Sequence, residues 1–144
     1  MTSPVINLLV INFLVILSGA AIGVWLARHP RLQSPLPRAA LLASFPLYHV
    51  LFALLAFHGT SEITRLQQDL LHELVAMAGF WLLAWESLRH RAVLPAALLA
   101  HGLYDGLLAS AAAPWWWAGF CGAVDITLAL LWWAQATRRH LLDG

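Results

Sequence analysis

Apolar residues in this chain fall in long runs, broken by short polar stretches, rather than alternating with polar residues at the period of a strand. Five runs stand out, near Val5–Ala27, Ala39–Phe57, Leu70–Leu88, Ala92–Ser110 and Trp115–Thr137. At ~1.5 Å of helical rise per residue, each covers roughly the ~30 Å of a bilayer's hydrocarbon. The pattern predicts an all-α integral membrane bundle of five transmembrane helices, forming a single domain over residues 1–144.

The polar stretches between the runs set an orientation, because short loops rich in basic residues stay on the cytoplasmic side. Arg28, Arg31 and Arg38 lie between spans 1 and 2, Arg89 and Arg91 between 3 and 4, and Arg138 and Arg139 after 5. The opposite loops hold only Arg65, accompanied by Glu62, and the uncharged "AAAPWWW". This alternation places the N-terminus outside and the C-terminus in the cytoplasm. Tryptophans favour the headgroup level, so Trp115, Trp116 and Trp117 are expected at the outer interface. Trp25, Trp85, Trp132 and Trp133 are expected at the inner one, with Trp81 deeper. Span 1 lacks a basic segment before it and is followed by arginines, so it reads as a retained helix rather than a cleaved signal.

Composition removes the soluble alternative: 61% of residues are hydrophobic, 10% are charged and the mean hydropathy is +0.74. A multi-pass protein of a bacterial inner membrane is the expected setting, with the lipid bilayer as partner and no nucleic acid. One cysteine excludes an internal disulfide and any cysteine-based zinc motif. Small residues four apart, at Gly19 and Gly23, Gly102 and Gly106, and Ala118 and Gly122, permit close helix approach, within the bundle or between copies in a homo-oligomer. Thr60 or Ser61 is a candidate cap for a helix that begins before span 3.

Against this background the ionisable residues inside the runs need an account, since an acid at the bilayer centre costs ~2.5 kcal/mol or more. In span 4, "AHGLYDG" puts His101, Tyr104 and Asp105 at i, i+3 and i+4, on one helical face. Span 5 carries Cys121 and Asp125, span 2 carries His49 and span 3 carries Glu73. Counted from the outer boundary, all lie at depths of about 5–15 Å. Four helices therefore contribute to one polar layer. Adjacent His72 and Glu73 diverge by ~100° around the helix, so only one can face inward, and Glu73 shares its face with Ala76 and Phe80. In span 2, Pro46 removes the helical donor to the Leu42 carbonyl just before His49. Glu86 beside Arg89 reads as a local ion pair, and His29, His90 and His140 as solvated residues among the arginines.

The succession "LLAHGLYDGLL", "PWWW" and "GFCGAVDITLALLWW" resembles a family of small uncharacterised bacterial integral membrane proteins. In that family a His-x-x-x-Asp helix is followed by a Pro/Trp loop and a helix carrying a Cys–Asp pairing. The likeness covers spans 4 and 5, about a third of the chain, with His101, Asp105, Pro114, Cys121 and Asp125 at the matching positions. It implies no particular reaction.

Several chemistries fit such a layer. Two imidazoles with carboxylates suit Zn, Mn or non-haem Fe, with His49, His101, Asp105 and Glu73 as candidate metal ligands. Glu73, Asp105 and Asp125 are the candidate catalytic groups, acting as acid and base on a lipid-like substrate entering from the bilayer. The metal-free form of that reading is similar in outline to emopamil-binding-protein-like isomerases. A proton relay or transport subunit, haem held by His49 and His101, and a purely structural polar network complete the alternatives.

Overall fold

A computed structural model describes the backbone of residues 4–57, 63–108 and 113–142. Five α-helices are present among them: α1 (Pro4–Arg28), α2 (Pro35–Phe57), α3 (Ile63–Ser87), α4 (Val93–Leu107) and α5 (Trp117–Leu142). A short 3-10 turn, Pro30–Leu32, lies between α1 and α2, and the His29 ring caps it by accepting from the Arg31 backbone N–H at 3.3 Å. The candidate cap at Thr60 or Ser61 lies outside the described residues.

Three helices are long and apolar enough to cross a membrane, over Ile6–Arg28, Pro35–Leu55 and Trp117–Arg138. The other two expected spans differ for separate reasons. Helix α3 has the length, 25 residues, but carries Gln67, Gln68, Asp69, His72, Glu73 and Glu86. Helix α4 is apolar but has only 15 residues, roughly 22 Å against a hydrocarbon core of ~30 Å.

Helices α2 to α5 form the bundle proper, with α4 packed against α2, α3 and α5, while α1 packs on α5 from outside. The buried stripe of α4, Leu94, Ala97, Leu98, His101, Gly102 and Asp105, follows the three-and-four spacing of a single helical face. It meets Leu42 and Phe45 of α2, Phe80 and Ala84 of α3, and Val124, Leu128 and Trp132 of α5 in one continuous core. The outward faces are rich in Leu, Ile and Val, as in Leu9, Leu14, Leu71, Leu82 and Leu130. Such exposure suits hydrocarbon surroundings rather than water.

The small residues serve contacts within the chain. A Cβ on Gly23 would come within 2.8 Å of Thr127, and one on Gly19 would collide with the Phe120 carbonyl, so α1 approaches α5 closely at both glycines. Gly102 and Gly122 do the same for α4 and α5, at 3.5 Å. Gly106 faces open space.

Two of the tryptophans expected at the interfaces are covered by the bundle. Trp132 is buried in the core, where its ring carries the Arg38 guanidinium 4.6 Å from its centroid. Trp117 is buried against Phe52 and His49. In both cases a contact within the bundle covers the indole ring. The Trp81 indole N–H donates to the Ala43 carbonyl at 2.9 Å. That bond supplies a donor beside Pro46, which removes one from the helix at the neighbouring carbonyl.

Candidate functional site

The polar residues of four helices meet in one cluster. His49 of α2, Glu73 of α3, His101 and Asp105 of α4 and Asp125 of α5 are 1%, 1%, 0%, 3% and 0% exposed. Each occupies the buried stripe of its helix, in step with apolar neighbours that hold it there. His72 is exposed and Glu73 buried, as their divergence around α3 requires.

Within the cluster the shortest bonds run between helices. One nitrogen of His49, Nε2, lies 2.6 Å from Asp105 Oδ1, and His101 Nδ1 lies 2.7 Å from Asp125 Oδ2. The Tyr104 hydroxyl donates to Glu73 Oε2 at 2.7 Å. Longer approaches join these pairs: His49 Nδ1 is 3.9 Å from Glu73 Oε2, and His101 Nδ1 is 3.6 Å from Asp105 Oδ2. His101 and Asp105, four apart on one helix, are therefore not each other's closest partners. Each is bonded across a helix interface, which makes the layer a tie between α2, α4 and α5 as well as a site.

The walls exclude water. Phe80 meets the His101 ring edge to face at 4.7 Å, and Phe45 lies 5.6 Å from it. Trp117 approaches the His49 ring at 6.4 Å and is itself braced by Phe52 at 4.8 Å. The Cys121 thiol, on the turn of α5 preceding Asp125, is buried beside Asp105. On the remaining side, Tyr104 separates the cluster from an apolar groove of about 570 Å3 between α3 and α4. His72, Ala76, Gly79, Phe80 and Leu83 line that groove with it, and the His72 ring stacks on Tyr104 at 5.8 Å. Sequence spacing places Tyr104 on the right face. Its bond to Glu73 depends on how α3 and α4 pack.

Whether these residues suit a metal ion can be judged from their unused atoms. His49, His101 and Asp105 each offer a ligand atom, all within 4.8 Å of one another. Each imidazole has one nitrogen on a carboxylate and the other, His49 Nδ1 or His101 Nε2, without a hydrogen-bond partner among the described residues. Asp105 Oδ2 is likewise without one. A carboxylate on one ring nitrogen fixes the tautomer and raises the basicity of the other, as behind metal-bound histidines. The donor set therefore fits a transition metal of the Zn, Mn or Fe type. Haem suits the cluster less well, because three carboxyls, those of Glu73, Asp105 and Asp125, share it with the two imidazoles.

No protein-family model matches this chain, and no curated protein or solved structure matches it.

Proposed function

We propose that this is a five-span protein of a bacterial inner membrane, N-terminus outside, whose buried layer is a transition-metal centre serving chemistry on a lipid-like molecule. The observation that carries the reading is the burial of His49, His101 and Asp105 together, each with a ligand atom within 4.8 Å of the others. These three are the leading ligands, with Glu73 nearest to completing the set. Asp125 acts through His101 as a positioning residue. When bound, the metal would supply Lewis acidity and hold the carboxylate charge that hydrocarbon opposes. Tyr104 lines the α3/α4 groove and donates to Glu73 buried behind it, so an entering molecule would meet the Tyr104 hydroxyl first, with Glu73 as the base that takes up its proton. The groove has the size of an ordinary small-molecule site and walls that suit a hydrocarbon chain.

A second reading draws on the two short His–Asp pairs. At 2.6 Å and 2.7 Å each joins one carboxylate oxygen directly to an imidazole nitrogen. The run from Tyr104 through Glu73, His49 and Asp105 to His101 and Asp125 would then pass protons rather than hold an ion. Elemental analysis of protein purified in detergent without chelator separates the two. The metal reading expects a near-stoichiometric transition metal that is lost in His101→Ala; absence of metal from the wild type, or metal unchanged in that variant, transfers the site to proton handling. Reporter fusions test the topology, with a fusion after Asp143 expected in the cytoplasm and one after Thr60 outside.

A further inference from the structure

The groove between α3 and α4 follows a single helical stripe. His72, Ala76, Gly79 and Leu83 recur every three or four residues along one face of α3, and Ala100 and Tyr104, four apart, line it from α4. From His72 to Leu83 the stripe runs ~16 Å. That is about half of a bilayer's ~30 Å of hydrocarbon, the depth of one leaflet. Neighbouring helices pack with their axes ~8–10 Å apart, so the space between two of them takes one hydrocarbon chain and not a pair.

Small residues keep this space open. A Cβ built on Gly79 would meet no atom within 4 Å, in contrast to those on Gly19 and Gly23, which would press on α5. Glycine weakens a helix relative to alanine, and no close helix approach accounts for this one. What its missing side chain leaves free is the groove. Val75 and Leu82 border it with exposed side chains, so it opens along the flank of the bundle.

The two ends of the groove differ. His72 and Tyr104 stand together at one end, their rings stacked at 5.8 Å, and Leu82 and Leu83 at the other. The Tyr104 hydroxyl donates to Glu73 Oε2 at 2.7 Å. With that donor committed, its oxygen offers an acceptor to a molecule in the groove. The matching head is one that donates, as a hydroxyl does and an ionised carboxylate does not.

We propose that the groove holds a single-chain lipid alcohol, its hydroxyl on the Tyr104 oxygen and its chain along Ala76, Gly79 and Leu83, with Gly79 determining which chains are admitted. The inference rests on the reading of the His/carboxylate layer as a site for a lipid-like molecule, and gives that molecule its class. The alcohol donates to Tyr104 while Tyr104 donates to Glu73, so one hydrogen-bonded line joins the head to the buried layer.

The test uses the full chain in nanodiscs of zwitterionic lipid with two photoreactive dodecanols, one carrying its diazirine beside the hydroxyl and one at the far end of the chain. Labelled positions are read by peptide mass spectrometry. Labelling should saturate, and should move from His72 and Tyr104 to Leu82 and Leu83 between the two probes. Unlabelled dodecanol should displace the probe, dodecanoate should do so about tenfold less well for want of one hydrogen bond, and a diacylglycerol should not displace it. Gly79→Leu, which places a side chain in open space, should abolish far-end labelling without lowering the unfolding midpoint; if that variant does not fold, the competition on the wild type decides. Labelling that never saturates, equal displacement by dodecanol and dodecanoate, or undiminished labelling of folded Gly79→Leu overturns the proposal. Metal content of the same preparations reports on the centre separately. Metal without saturable labelling refutes the groove assignment alone, whereas saturable labelling without metal refutes the metal centre and upholds the groove.

Discussion

Near one end of the bundle the buried ionisable groups are imidazoles and carboxyls, which can neutralise one another by moving a proton. At the other end Arg38, which cannot shed its charge, is only partly buried and lies against a carbonyl, an amide and an aromatic face. The difference follows from depth. A permanent cation is tolerated where the surface and a cavity of about 120 Å3 are near, whereas groups deep among Phe45, Phe80 and Trp117 must be able to pair or discharge. One end of the molecule is thus a sealed chemical layer and the other an accessible electrostatic one, although both join the same helices.

The sharpest way to break this contrast is to remove one member of a sealed pair. His101→Ala leaves Asp125 buried without its imidazole and should cost about 3–5 kcal/mol in reversible unfolding in micelles. His101→Ala combined with Asp125→Ala should lose less than the sum of the two, with a coupling in the range of about 0.5–3 kcal/mol. The coupling of His101 to Asp105, 3.6 Å away on the same helix, should be smaller. If the same-helix pair couples as strongly, the layer is not organised across the helices as described.

At the arginine end the effects should be gentler, because water can reach what a variant exposes. Arg38→Gln is expected to cost about 1–2 kcal/mol, from lost hydrogen bonds and the cation–aromatic contact with Trp132. A loss as large as that at His101 would mean that the two ends are equally sealed. Smallest of all should be Glu86→Gln, whose carboxylate meets Arg89 at 3.9 Å and His90 at 3.2 Å on exposed side chains. Its effect should stay within about 0.5 kcal/mol in the same unfolding measurement, as for most surface ion pairs.

Much of the sealed layer was legible before any coordinates, because charge inside an apolar run is conspicuous and helical spacing assigns it a face. His49, Glu73, His101, Asp105 and Asp125 stand together as their depths require. Who pairs with whom was not legible. Spacing favours His101 with Asp105, four residues on, but Asp125 comes closer because α4 and α5 meet through Gly102 and Gly122, where no side chain holds them apart. The same limit applies to Trp117 and Trp132, whose burial against the bundle composition does not reveal. The arginine end was read only as a topological signal, since sequence alone gives no indication of a void. The spans themselves were legible to different degrees. Three helices have the length and apolarity expected, while α4 falls short in length and α3 carries polar residues that a purely apolar count penalises.

The position of α1 bears on the order in which the molecule can be completed. Among the described residues its only α-helical partner is α5, the last helix of the chain. At a synthesis rate of about 5–20 residues per second, the interval between finishing α1 and beginning α5 is roughly 5–20 s. For that time α1 lacks the helix it packs against among the described residues, and the glycines at 19 and 23 remain uncovered. The arrival of α5 then does two things at once: it recruits the waiting helix and delivers Asp125 to His101. Assembly and completion of the site are therefore one late event. A nascent chain stopped before Trp117 would hold neither its first helix nor a finished centre.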